Sequence, residues 1–291
     1  MSVLTLASPC KVNLLLNILG RRDDGFHELE TLIQPVSIHD ELRLERVGLG
    51  IELTCSDTKL AVDKTNLVYR AAAAFLETIE ASVGVKIHLQ KNLPIAAGIG
   101  AGSANAGVTL HGLNELWGEP LPDEDLLELA AGLGSDVPFF LQDNPALAFG
   151  RGEKVRPLEP LPALQGVALL LINPGFGVST PWAYQQLCKN PEALNGEAGR
   201  AEALADELKM GTLGDAVDLF HNSLEAPVFY KHPVLRVICD FFRANGAIVT
   251  LMCGSGSTIF ALASSRAEAE ELRSKYHGYF GEAGWSRTVL L

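Results

Sequence analysis

A glycine-rich segment constrains this chain most. Pro94-Ile95-Ala96-Ala97-Gly98-Ile99-Gly100-Ala101-Gly102-Ser103-Ala104 follows the β-type run Val85–Gln90 and leads into a helical pattern in which Ala106, Leu110, Leu113 and Trp117 share one face. Ser103 is the predicted N-cap. Glycines let a backbone approach an anion closely, and a helix start presents unpaired N–H groups at the positive end of its dipole. The segment is no Walker loop, since the chain has no Gly-Lys dipeptide, and no G-x-G-x-x-G fingerprint occurs. Its spacing leaves two readings open, an anion cradle or a glycine-rich turn.

The period of apolar residues sets the elements around it. Strands are predicted at 3–7, 12–19, 31–38, 41–47 and 51–55, and a helix over 66–81, where Leu67, Ala71, Phe75 and Ile79 recur every four residues. A further helix is read over 123–132. Residues 156–166 hold three prolines and read as a linker, and 190–200 as an exposed loop. The second half reads as strands at 167–172, 247–252, 257–262 and 287–290, with helices at 180–188, 201–210, 233–245 and 266–276. These proportions predict an α+β fold with helices on largely antiparallel sheets.

At 291 residues, 47% hydrophobic, the chain can bury a sizeable core and is long enough for about two domains. Its 23 Lys+Arg against 35 Asp+Glu leave a formal charge of −12, which argues against nucleic acid or an anionic membrane as a partner. A few local donors can still hold an anionic small molecule. No run of about 18 apolar residues predicts a membrane span. The N-terminus reads as lacking a signal peptide, and five cysteines without C-x-x-C spacing suit a reducing, cytoplasmic setting. The seven histidines show no H-x-x-x-H pair, so no protein metal site is expected.

Several residues carry possible chemistry. Lys11 enters the apolar run Val12–Leu19, so it either reaches water at a strand end or finds a partner. Asp136, in Leu133-Gly-Ser-Asp136-Val-Pro138, suits an N-cap, yet a kinase acting on a hydroxyl needs one carboxylate to take the proton and a cation beside it. Phe26 and His27 follow the turn Asp24-Gly25, either as an edge plug and a surface residue or as a stack for a base. Gly254-Ser-Gly256-Ser-Thr258 is either a tight hairpin or a second backbone surface near a phosphate.

Together these segments resemble the GHMP kinase superfamily. Ser8-Pro-Cys-Lys11-Val-Asn13-Leu is similar to its S-P-A-K-[LVI]-N-L motif, and Gly20-Arg-Arg-Asp-Asp-Gly25-Phe26-His27-Glu-Leu to G-x-R-x-D-G-[YF]-H-x-[LI]. Residues 94–105 resemble P-x-x-x-G-L-G-G-G-S-[SA]-[ND], residues 133–140 L-G-[AS]-D-V-P-x-[FC], and Cys253-Gly-Ser-Gly256 the C-terminal G-[ST]-G motif. Asn173-Pro-Gly175 with Ser179-Thr180-Pro looks like P-G-x-x-x-x-T.

The resemblance implies two domains, residues 1–158 (ribosomal protein S5 domain 2-like) and 159–291 (a ferredoxin-like α/β sandwich), with an interdomain active site. It implies transfer of a phosphoryl group from ATP, with Mg²⁺ entering on the nucleotide, to the 2-hydroxyl of a cytidine diphosphate-linked methylerythritol of the non-mevalonate isoprenoid route. The implied chain is a cytoplasmic monomer or homodimer. Lys11 and Asp136 are the implied catalytic pair. Residues 94–104 are implied to wrap the phosphates, with Asn66 and Lys91 near the adenosine. Phe26, His27 and Tyr184 are implied to hold the base, and Asn13 and Thr180 the rest of the substrate. The chain departs from the family at Ala96, Ala97, Ala101 and Ala104. Ala101 is expected to keep φ < 0, since the left-handed region would cost roughly 1 kcal/mol or more. A homoserine- or mevalonate-like acceptor is a second reading, and a nucleotide-binding relative without catalysis a third.

Overall fold

The computed structural model describes residues 3–291; the first two residues, part of the stretch read for a signal peptide, lie outside the described residues. Its contacts form two compact units. One comprises Met1–Cys10, Ser37–Leu93 and Gly100–Asp143, the other Lys11–Val36, Pro94–Ile99 and Asn144–Leu291. The division at 158 follows chain order, whereas these units interleave, because two long strands each contribute to both. They are β1 (Val3–Arg21) and β2 (His27–Val47). The four short strands expected here are thus two long ones. Ser8, Asn13, Asn17, Glu30 and Asp40 interrupt the apolar pattern but are buried with hydrogen-bond partners, so the strands continue through them.

In the first unit follow β3 (Ile51–Cys55), α1 (Leu67–Thr78), β4 (Gly84–Gln90), α2 (Ala101–Trp117) and α3 (Asp123–Leu133). β4 pairs antiparallel with β2 from Glu41 to Val47 and parallel with β3. Leu42, Leu44, Ile87 and Leu89 meet Val68, Phe75, Leu110 and Leu113 from α1 and α2 in one apolar core. The alternating burial of β4 marks a sheet with one face covered.

The second unit continues with β5 (Ala146–Gly150), β6 (Lys154–Pro157), β7 (Ala168–Asn173), α4 (Thr180–Gln186), α5 (Pro191–Leu194), α6 (Arg200–Met210) and α7 (Leu213–Ala216). It closes with β8 (His221–Asn222), α8 (Glu225–Lys231), α9 (Pro233–Ala244), β9 (Val249–Met252), β10 (Ile259–Ala263), α10 (Arg266–Phe280) and β11 (Trp285–Leu290). Four strands form an antiparallel sheet in the order β11-β7-β10-β9. Its core joins Leu170 and Ile172 to Ile238, Phe242, Leu272 and Tyr276 of α9 and α10. β8 lies parallel to β1 through Leu15 and Leu16, and β5 antiparallel to β2 from Leu29 to Ile33. Helix α8 was not foreseen, and the expected loop at 190–200 contains the single turn α5. The α+β expectation holds, and among the described residues no helix is long and apolar enough to cross a membrane.

Candidate active site

The two glycine segments meet main chain to main chain within the second unit. Gly98 has φ +81, and a Cβ there would lie 2.0 Å from the Cys253 carbonyl oxygen and 2.8 Å from the Gly256 nitrogen. Gly254 has φ +50, and its Cβ would lie 2.7 Å from the Gly98 carbonyl oxygen. No side chain fits at either position. The Thr258 amide donates to the Ala97 carbonyl at 3.1 Å. The 254–258 turn therefore has two structural roles. It closes the β9–β10 hairpin, where Met252 faces Ile259, and it is a backbone surface against residues 97–98.

Ala101 is the first residue of α2 and lies outside the left-handed region, as expected. The strained alanine is Ala96, at φ +52, whose carbonyl accepts from the Val178 amide at 3.3 Å. The cap differs from expectation: α2 begins one turn earlier, on the left-handed Gly100, and Ser103 is the third helical residue. The chain reaches α2 through φ +70 at Gly100, a value serine adopts poorly. No side chain caps α2, and no acidic residue sits in its first turn. Those amides keep their capacity for an anion.

Lys11 lies inside β1 rather than at a strand end, only 3% exposed, which settles its two readings in favour of a partner. Its amide donates to the Ile99 carbonyl at 3.0 Å, and its Nζ donates to Asn13 Oδ1 at 2.6 Å. Asn13 Nδ2 donates to Thr31 Oγ1 at 2.9 Å, and that hydroxyl donates to the Leu15 carbonyl at 2.5 Å. A buried ammonium thus stands beside the loop, and the Asn13–Thr31 chain of hydrogen bonds helps to orient it.

In the same unit Thr180, at the start of α4, shares a 2.7 Å hydrogen bond with Ser255 of the second glycine turn. The rings of Tyr184 and His27 lie 5.3 Å apart, tilted by 40°. Burial first, and then Arg21, hold His27 below its ordinary imidazole value. Phe26 is exposed, with the Arg151 guanidinium 4.7 Å over its ring. This part of the unit offers aromatic faces, those of His27, Tyr184 and the exposed Phe26.

In the first unit, Asp136 is half-buried and precedes Val137, which opens a short 3₁₀ turn, Pro138–Leu141. Val137 rather than Asp136 is therefore the capping position. This segment packs on α2: a Cβ on Gly107 would meet Phe140 Cβ at 2.9 Å and the Val137 carbonyl at 3.1 Å. Asn66 caps α1, with Oδ1 accepting from the Val68 amide at 2.9 Å and Nδ2 donating to the Ala61 carbonyl at 2.7 Å. Lys91 does not offer its ammonium outward; it is buried in an ion pair with Asp40.

Three residues near these groups carried no reading from the sequence: Arg151, Asp40 and Asn222. Asn222 donates to the carbonyls of Met252 at 2.7 Å and Gly254 at 2.8 Å, fixing the second glycine turn. A polar residue at a strand end carries no periodic signal. Asp40, inside the predicted gap between two strands, had a detectable one: a carboxylate between apolar β-type runs needs a partner.

The family described as GHMP kinases N terminal domain matches residues 66–144, and that described as GHMP kinases C terminal matches 201–282. A 4-diphosphocytidyl-2-C-methyl-D-erythritol kinase of Acaryochloris marina is 39% identical over 281 residues, 93% of this chain and 90% of that one. Another, from Geobacter sp. (strain M21), is 38% identical over 97% of this chain and 99% of that one. The crystal structure of a 4-(cytidine 5'-diphospho)-2C-methyl-D-erythritol kinase superposes with a TM-score of 0.81 at 35% identity, covering 98% of both chains. A homoserine kinase from Cytophaga hutchinsonii, at 20% identity and a TM-score of 0.74, shares the fold.

Proposed function

The chain belongs to the GHMP kinase family, and we propose that it is an ATP-dependent kinase acting on the 2-hydroxyl of 4-diphosphocytidyl-2-C-methyl-D-erythritol. The observation that carries this reading is the cluster in the second unit: two glycine turns docked through their backbones, beside a buried ammonium and a His27–Tyr184 ring pair. The backbone turns and the uncapped start of α2 suit phosphates. The ring pair suits a base, which mevalonate and homoserine lack.

ATP supplies the γ-phosphoryl group when bound, with Mg²⁺ entering on the nucleotide and no protein ligand assigned to it. In this reading residues 94–104 hold the phosphates through main-chain donors. Asp136 accepts the proton of the attacking hydroxyl, and Lys11 offsets charge that grows on the phosphoryl group. Phe26, His27 and Tyr184 hold the cytosine, while Asn13 and Thr180 orient the diphosphate and the polyol. The domain division at 158/159 remains part of the proposal, supported by one family match on each side of it. The chain is proposed to act in the cytoplasm, as a monomer or homodimer.

A coupled ADP-release assay tests this. Turnover should require the cytidine-bearing alcohol, and mevalonate or homoserine should give none. Asp136→Asn should lower turnover by about 10³-fold while leaving the melting temperature nearly unchanged. Comparable turnover on mevalonate would overturn the substrate reading, and near wild-type turnover of the variant would remove Asp136 from its role.

A further inference from the structure

We infer that Asp40 is a positioning residue for the nucleotide-phosphate loop, acting by tying together the two ends of that loop. This rests on the reading that residues 94–104 hold the phosphates. Asp40 lies on β2 and is fully buried. Its Oδ1 accepts from the Asn92 amide at 2.7 Å and the Leu93 amide at 2.9 Å, immediately before the loop. Its Oδ2 accepts from Asn105 Nδ2 at 3.2 Å, immediately after the loop, and also from the Lys91 ammonium. One carboxylate therefore anchors the chain where it enters the loop and where it leaves.

The supporting groups fix how this clamp works. Ser8 donates to Asn105 Oδ1 at 2.7 Å, so the Asn105 amide can present only its nitrogen to Asp40. Asn105 is on α2, two residues past its uncapped first-turn amides, which end at Ser103 because the Ala104 amide donates to the Gly100 carbonyl at 2.8 Å. Rotation of α2 about its axis would therefore have to break the Asn105–Asp40 bond. Lys91 cancels the charge of Asp40, so the anchor sits near a phosphate site without repelling it. Ser8, Asp40 and Asn105 are each at most 2% exposed, so water cannot replace a lost partner. Main-chain donors aimed at a phosphate act only if the backbone is held, and misplacement by a fraction of an ångström is enough to weaken them.

Two substitutions test the clamp. Asp40→Asn keeps an oxygen for the Asn92 and Leu93 amides but turns an NH₂ toward Lys91 and Asn105. Asn105→Ala removes the far anchor and leaves Asp40 with its other three donors. Each should raise the KM for ATP about tenfold, leave the KM for the cytidine substrate within about twofold, and weaken ADP binding by calorimetry to the same extent. A merely structural role would lower the melting temperature and the active fraction with an unchanged KM for ATP, and that result in Asn105→Ala would overturn the inference even if Asp40→Asn failed to fold. Wild-type protein that binds no ADP would overturn the phosphate-loop reading and this inference with it. Wild-type binding matched by Asn105→Ala would overturn the inference alone.

Discussion

Lys11 donates its ammonium to Asn13 Oδ1 at 2.6 Å inside a strand, with both side chains 3% exposed. This neutral acceptor orients the ammonium. Lys11→Met keeps the length and the apolar stem but removes the charge. We expect turnover to fall about 10²- to 10³-fold with a smaller change in the KM for ATP, since the charge matters most as the phosphoryl group transfers. Thr31→Val, which removes the hydroxyl holding Asn13, should cost about 1–3 kcal/mol of stability by stranding a buried amide. Turnover of Lys11→Met within twofold of wild type would exclude an electrostatic role.

The His27–Tyr184 pair leads to a separable effect. A base stacked on an aromatic ring gains roughly 1–3 kcal/mol. Tyr184 belongs to α4 and its ring is partly buried against the second unit's core, so its position is set by packing rather than by a ligand. Tyr184→Ala should raise the KM for the cytidine substrate about tenfold and leave the KM for ATP unchanged. Equal changes in both constants would point to a general loss of folding instead.

Two glycines of the loop should respond in opposite directions. Gly98→Ala would place a methyl 2.0 Å from the Cys253 carbonyl oxygen at φ +81, and no flexible side chain is there to yield. Destabilisation of about 2 kcal/mol or more follows, seen as a lower melting temperature. Gly102, inside α2, has only Leu67 Cδ1 near its Cβ position, at 3.8 Å. Gly102→Ala should therefore stabilise the protein by about 0.5–1 kcal/mol. Its KM for ATP should nonetheless rise, because the added methyl stands where a phosphate would approach. An unchanged KM would place the phosphates elsewhere.

The sequence showed the loop, the order of its flanking strand and helix, and the residue types beside it, because glycine, helical period and strand alternation are local signals. It misplaced the start of α2 because the cap is a left-handed glycine, Gly100, which has no side chain to mark it, whereas Ser103 is the residue type that usually caps. It marked Ala101 as the alanine at risk, whereas Ala96 carries the positive φ, held by the Val178 amide. The partners of Lys91 and Lys11 were equally hidden: a lysine's spacing says that it needs a partner, and only the folded sheet supplies Asp40 or Asn13. Strand lengths failed where buried polar residues had bonds the pattern could not reveal.

Glu225 gives the chain a pH dependence of its own. Its Oε1 accepts from the Met252 amide at 2.8 Å, at the strand end that feeds the Gly254 turn. Burial pushes this carboxyl up to about 7, against the opposing hydrogen bond from Met252 and the charges of Arg243 and Arg236. The folded state therefore binds its proton more tightly than the unfolded chain does. Stability from this group is complete below the ordinary carboxylate range and is lost as pH rises toward about 7. Glu225→Gln keeps an oxygen for Met252 and cannot ionise. Relative to wild type the variant should gain roughly 1–3 kcal/mol between about pH 5 and pH 8, read as a growing difference in melting temperature. A constant difference across that range would mean that the Glu225 proton does not couple to folding.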